Sequence, residues 1–318
     1  MSSNPSIEPW KKKNSGKRVV SHREASVSVV VKTYNSKSPK TDLETFFHSP
    51  FCRALKLQIC DIGWRLWQRG YADGNGGNIA IRVGEDIALC TPTLVSKGFM
   101  KPEDMCLVDF EGNQLFGAKK RTSEILMHLQ IMQRQPRAVA TVHCHPPYAT
   151  GFAVAGVLPP PGMLPEYELS TSVALAPYRT PGTPELGRLI ADLVDHHNVV
   201  LMANHGVVAW SHNNVEDACF KVEILETYCR TILVAARLVR RPNTISPAQL
   251  QELLKVKQSL GNPDPRFGLK GFDFPGKNEW RRVSLATRGS RVRRTGKDPK
   301  AQAVIQAITQ QILNKLEG

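Results

Sequence analysis

Residues 140 to 150 read ATVHCHPPYAT, an apolar run that ends on two histidines one residue apart. In an extended strand side chains alternate between faces, so His143 and His145 share one face while Val142 and Cys144 share the other. Two imidazoles side by side at the end of a buried strand suggest a metal. Any fold for this chain has to bring further donors to that pair.

The text around the pair predicts the elements that could do so. DLETFFHSPFCRALKLQICDIGWRLWQRG repeats apolar residues at helical spacing between an Asp42 cap and a Gly70 stop. GNIAIRV and DIALCTP alternate around GED and predict a hairpin, and MCLVDFEGNQLFG predicts two more strands about Glu111-Gly112. TSEILMHLQIMQRQP predicts an amphipathic helix closed by Pro136. After the strand AVATVHCH come a Pro-rich loop near 158–165, a helix from about Pro184 to His196 and the apolar strand VVLMANHG. A long helix from Val215 to about Arg240 and another near 246–260 follow. This order predicts an α/β fold, a mixed sheet covered by helices.

The formal charge of +14 is informative once it is placed along the chain. Residues 1–40 carry nine Lys/Arg against two acids, residues 266–300 carry eleven against three, and residues 41–265 hold 21 basic and 22 acidic side chains. The body is neutral and its extensions are basic. No recognisable nucleic-acid module interleaves that charge with aromatics, so solvated tails are expected and nucleic acid is not. Nor does any apolar run approach the ~20 residues of a membrane-spanning helix. Seven scattered cysteines without a CxxC pair predict reduced, buried thiols and a cytoplasmic setting.

Four segments are expected: a basic, mostly flexible extension over 1–41, a globular domain over 42–262, an irregular segment and basic linker over 263–297, and an amphipathic helix over 298–318. In the last, Ala301, Val304, Ile305, Ile308, Ile312 and Leu316 fall on one helical face behind an Asp298 cap.

A metal site needs a third donor, and the best candidate is His205 in LMANHGVVAW, at the end of another apolar stretch and before a glycine where the backbone can turn. Glu124, in RTSEIL, opens a helix, where capping alone accounts for a carboxylate.

GNGGNIAIR, TPT, TSEILMHL, AVATVHCHP, APYRTPGTPEL and ANHGVVAW, followed by a helix with EDACFKVEILE, come in the order and spacing of the class II aldolases. Over residues 42 to about 240 the chain resembles the family of fuculose-phosphate aldolase, ribulose-phosphate 4-epimerase and the adducin head. The resemblance implies a three-layer fold with a mostly antiparallel central sheet, a homotetramer, and Zn2+ on His143, His145 and His205. It implies Glu124 as the catalytic acid/base, since the epimerases carry Asp there. His128, one turn on, is read as structural or as a support for the metal ligands.

The same resemblance implies that Gly77, Asn78, Thr93, Thr122 and Ser123 bind a sugar phosphate. One position departs from it: Leu94 stands where the family has glycine, and because a leucine does not easily take a positive φ this loop is expected to run differently. Lys97 is a candidate for compensating charge. The family's tyrosine, supplied by a neighbouring subunit, falls on Met163 by ungapped counting; Tyr167 is the nearest replacement, with Tyr178 or no tyrosine at all as the alternatives. The expected reaction is retro-aldol cleavage of a ketose 1-phosphate of the fuculose or rhamnulose type to dihydroxyacetone phosphate and lactaldehyde. A 4-epimerase and a non-catalytic adducin-like module are the alternatives. The terminal helix resembles the encapsulation peptides that load enzymes into bacterial microcompartments, which makes a shell protein a candidate partner through residues 298–318.

Overall fold

The computed structural model describes residues 34–262, 264 and 266–268. The terminal helix expected over 298–318, most of the basic linker and most of the N-terminal extension lie outside the described residues.

The first apolar stretch forms two helices where one was expected, α1 (Lys40–His48) and α2 (Pro50–Gln68). The break is local chemistry: the Ser49 side chain accepts from the Cys52 N–H as an N-cap, and Pro50 occupies the first helical position. The sheet then begins with β1 (Asn78–Arg82), β2 (Ile87–Cys90), β3 (Cys106–Asp109) and β4 (Gln114–Phe116), an antiparallel meander. Helix α3 (Ile125–Arg134) leads to β5 (Ala140–Cys144), which returns to the middle of the sheet beside β1.

Two short helices, α4 (Pro147–Ala155) and α5 (Pro165–Ser170), precede the strand β6 (Val173–Ala176). Helix α6 (Pro184–Ala191), strands β7 (Val199–Met202) and β8 (Gly206–Ser211), and helices α7 (Val215–Leu238) and α8 (Pro247–Ser259) follow among the described residues. The eight strands run in the order β4-β3-β2-β1-β5-β8-β7-β6, with only the β6–β7 pair parallel.

The strand residues alternate between two separate cores, as a sheet buried on both faces requires. Ile79, Ile81, Leu89, Val142, Leu201 and Val207 face one core, packed by α1, α2, α4 and α7. Ala80, Ala88, Cys90, Val200 and Val208 face the other, packed by α3 and α6. The result is the three-layer α/β arrangement. Among the described residues no helix is long and apolar enough to cross a membrane.

Candidate metal and catalytic site

Strand β5 carries Thr141 and His143 on the α3 side of the sheet, and His145 follows one residue past its end. The register pairs His143 with Asn78 on β1 and with Val208 on β8, so the loops after β5, before β1 and between β7 and β8 meet at one end of the sheet. His205 lies in the tight turn between β7 and β8, where its N–H bonds to the Met202 carbonyl and Asn204 takes φ 56°. Asparagine tolerates that left-handed conformation better than most residues.

The ring nitrogens of His143, His145 and His205 lie within 4.8 Å of one another. His143 donates from Nδ1 to the Val207 carbonyl at 2.8 Å, and His145 from Nδ1 to Asp73 Oδ1 at 3.2 Å, which leaves each Nε2 lone pair free. Burial pulls the His205 pKa down to about 4, helped by the neighbouring His143 ring, and burial also lowers His145. Both rings are therefore neutral at pH 7, the form that binds metals.

Glycine is required where the backbone threads this cluster. A Cβ on Gly206 would stand 2.6 Å from the His145 ring and 2.7 Å from the Cys144 carbonyl. At Gly77, with φ 73°, it would meet the His143 carbonyl at 2.9 Å.

Glu124 stands at the N-cap position of α3, but its carboxylate turns to the cluster and does not cap the helix. Its Oε2 is 3.3 Å from His143 Nε2 and its Oε1 is 3.3 Å from His205 Nε2, while Asn78 donates to Oε2 at 2.8 Å. Burial opposes ionisation of Glu124, but His143, the Asn78 amide and His205 outweigh it and hold the carboxyl well below the usual carboxylate range. His143 Nε2, His145 Nε2, His205 Nδ1 and Glu124 Oε1 are buried without a hydrogen-bond partner. Orphaned donor-set atoms of this kind, crowded around one point, fit a divalent cation.

Around this centre, Thr122 is buried and its Oγ1 accepts from the Glu124 N–H at 3.4 Å, while Thr93 and Ser123 sit nearer the surface. Leu94 corrects the expectation that a leucine would avoid a positive φ here: it takes φ 57°, a left-handed conformation that glycine adopts without cost, and the residue is 80% exposed. The leucine bears the strain that glycine would avoid. Tyr167 is not brought to the cluster within the chain. It is buried and stacks on Tyr228 with ring centroids 3.8 Å apart, and burial pushes its pKa well up.

His128 is fully buried, bonded to Thr141 and Asn78 behind Glu124. Sequence reasoning missed three supports: Asp73 behind His145, Asn78 as the partner of Glu124, and Glu226. The Glu226 carboxylate accepts the Tyr148 and Ala149 N–H groups at the start of α4. The alternation that paired His143 with His145 also puts Thr141 on the same face, a signal that could have found the His128 partner.

Residues 57–233 match the family described as the class II aldolase and adducin N-terminal domain. An L-fuculose phosphate aldolase of Methanococcus maripaludis is 34% identical over 171 residues, covering 54% of this chain and 89% of that protein. A 3-oxo-tetronate 4-phosphate decarboxylase of Haemophilus influenzae is 31% identical over 178 residues, covering 54% and 84%. A solved L-fuculose 1-phosphate aldolase superposes with a TM-score of 0.57 at 26% identity, over 64% of this chain and 96% of the other. Fold, motif order and these likenesses agree that the chain belongs to the class II aldolase and adducin N-terminal domain family, as one of its carbon–carbon lyases.

Proposed function

We propose that the protein cleaves a ketose 1-phosphate of the fuculose or rhamnulose type by a retro-aldol reaction, yielding dihydroxyacetone phosphate and lactaldehyde. The observation that carries the reading is the Glu124 carboxylate set 3.3 Å from both His143 and His205 beside a cluster of orphaned imidazole nitrogens. His143, His145 and His205 would hold Zn2+, which when bound polarises the carbonyl and adjacent hydroxyl oxygens of a ketose.

The work of the chain's own residues follows from their positions. In cleavage the C4 hydroxyl gives up its proton to water as the aldehyde forms, and the C3–C4 electron pair passes to the ketone fragment, which takes up one proton in exchange. Glu124 manages the proton on the carbon that receives that pair, returning it in cleavage and removing it in the aldol direction. Its neighbours hold the group ionised, so it is ready to accept a proton in the aldol direction and takes one up from water before returning it in cleavage. Asn78 fixes which carboxylate oxygen points at the rings. Gly77, Asn78, Thr93, Thr122 and Ser123 would receive the phosphate from the loops that flank Glu124.

The decarboxylase relative supports a second reading, loss of carbon dioxide from a phosphorylated 3-oxo acid. That reaction leaves a similar carbanion for Glu124 to protonate but has no hydroxyl proton to remove. It therefore needs no tyrosine near the cluster, where Tyr167 is absent within the chain.

Assembly as a homotetramer belongs to the same proposal. It is supported by the exposed apolar side chains Leu57, Trp64 and Trp67, which line one side of α2 beside Phe99. Loading into a microcompartment through residues 298–318 is proposed from the sequence pattern alone, and a fluorescent fusion of that segment that stays diffuse in a shell-producing cell would count against it.

Metal content measured together with product analysis tests the central reading. Fuculose, rhamnulose and ribulose phosphates and a 3-oxo acid phosphate should separate aldolase, epimerase and decarboxylase. Replacing Glu124 with Gln should leave bound zinc in place and reduce turnover at least about a thousandfold. Full cleavage in that variant removes Glu124 from the chemistry.

A further inference from the structure

Lys97 is 2% exposed, an unusual place for an ammonium group. It opens a single 3-10 turn, Lys97–Phe99, that is pressed onto α2. A Cβ on Gly63 would lie 2.5 Å from the Lys97 carbonyl, and one on Gly98 would lie 2.5 Å from the Trp67 indole, whose ring meets Phe99 edge-on at 4.9 Å. The stem of the lysine is therefore fixed from below.

Its Nζ reaches between two loops and donates to the Asn75 carbonyl at 2.9 Å and the Val95 carbonyl at 2.6 Å. The first loop continues through Gly76, whose Cβ position is 3.1 Å from the His145 ring, to Gly77 and Asn78. The second contains Thr93 and the strained Leu94. Two of three ammonium protons are thus used on neutral carbonyls. Of the other buried lysines, Lys221 and Lys257 pair with Asp217 and Asp264 and Lys56 lies over the Phe47 ring, whereas among the described residues Lys97 has neither an ion pair nor an aromatic face.

A buried cation with no carboxylate in contact, held only by the more distant Glu124 charge, costs several kcal/mol unless something supplies more opposite charge. We propose that Lys97 is a charge-selecting, positioning residue, which clamps the loops 75–78 and 93–95 through their carbonyls and provides the buried positive charge that an anionic group of the substrate neutralises. Burial draws the Lys97 pKa down to about 8, against the pull of Glu124, so the charge survives at neutral pH. The inference rests on the sugar-phosphate reading above for the identity of the anion, while the clamp itself stands on the geometry.

Calorimetry with inorganic phosphate on the full-length, metal-loaded protein tests it. Lys97→Met is expected to weaken phosphate binding at least tenfold and to raise KM for the cleaved ketose phosphate by a similar factor, with kcat and bound metal changing far less. Lys97→Arg, which keeps the charge, is expected to recover most of the affinity. A purely structural lysine would not produce that KM-against-kcat split or that rescue.

In wild-type protein with 13C-labelled lysines, phosphate is expected to shift the Lys97 Cε resonance, a readout that does not depend on the variants folding. An unmoved resonance at high phosphate, or wild-type affinity and KM in Lys97→Met, overturns the inference. Failure of the wild type to cleave any ketose phosphate would remove the substrate reading and leave Lys97-dependent phosphate binding standing. Cleavage with an unchanged KM in Lys97→Met would remove only the role of Lys97.

Discussion

Asn78 holds Glu124 in place: its Nδ2 donates to Glu124 Oε2 at 2.8 Å across 46 residues of sequence. The amide is itself held, since Asn78 Oδ1 lies 2.5 Å from His128 Nε2. An amide oxygen only accepts, so His128 carries its proton on Nε2, and its Nδ1, 2.6 Å from the Thr141 hydroxyl, is the acceptor. A chain of three hydrogen bonds therefore runs from β5 through α3 and β1 to the carboxylate.

Asn78→Ala is expected to leave Glu124 free to rotate away from the rings. A hydrogen bond to a charged group is worth about 1.5–3 kcal/mol, so kcat should fall roughly ten- to a hundredfold. Bound metal should stay near the wild-type level, because the three imidazoles do not depend on the amide. Steady-state kinetics with metal analysis checks this, and an unchanged kcat would mean that the amide does not orient the carboxylate.

His128, together with His205, sets the acid limit of the fold. Burial pulls the His128 pKa down to about 3, with the neighbouring His143 adding to the effect and Glu124 opposing it. Below pH 6.5 the unfolded chain binds a proton that the folded chain refuses, so stability is complete above that pH and declines as pH falls toward 3. At about 1.4 kcal/mol per unit the loss from His128 at pH 5 comes to about 2 kcal/mol. Urea unfolding at pH 7 and pH 5 should show that loss in the wild type. A His128→Gln variant, less stable at pH 7, should lose correspondingly less between the two; equal losses would assign the acid sensitivity elsewhere.

The positions of His143 and His145 were legible because period-two alternation is a property of extended chain and needs no partner. The hairpin β1–β2 and helices α3, α7 and α8 were legible for the same kind of reason, from periodicity and caps. Strand β8 was not, because VVLMANHGVVAW reads as continuous apolar text and its break depends on Asn204 taking a left-handed φ. Strand β6 is only four residues long, and α4 and α5 lie in Pro-rich text that masks them. The contacts that orient the site were out of reach in principle, since Asn78, Glu124 and His128 meet only through strand register and the placement of α3.

Leu94 gives a stability prediction with an unusual sign. A leucine at φ 57° carries about 1–2 kcal/mol of backbone strain that glycine does not. Leu94→Gly removes it, at the cost of roughly 0.5–1 kcal/mol from the freer unfolded chain. The exposed side chain makes little packing to lose, so a net gain of about 0.5–1 kcal/mol is expected. Leu94→Val should go the other way, because a branched Cβ fits the left-handed region worst. Denaturant midpoints for the two variants check both signs, and stabilisation by valine would mean that the loop has another conformation in solution.

Glu226 on α7 reaches the opposite side of the site. Its two carboxylate oxygens accept the N–H groups of Tyr148 and Ala149 at 3.0 and 2.7 Å, which places a buried negative charge at the N-terminus of α4. Only Pro146 separates that helix from His145, whose own N–H bonds to the Tyr71 carbonyl at 2.8 Å. Glu226→Ala therefore orphans the buried Ala149 N–H and the half-buried Tyr148 N–H and loosens the backbone that carries one member of the imidazole cluster. The expected stability loss is about 1–3 kcal/mol. Metal affinity should fall by roughly tenfold or more, in line with the usual effect of removing supports behind metal ligands. Glu226→Gln keeps one acceptor oxygen and should recover part of both. Thermal unfolding and competitive metal titration on the two variants separate the effects: a destabilised Glu226→Ala with wild-type metal affinity would show that the capped helix holds the fold without holding His145.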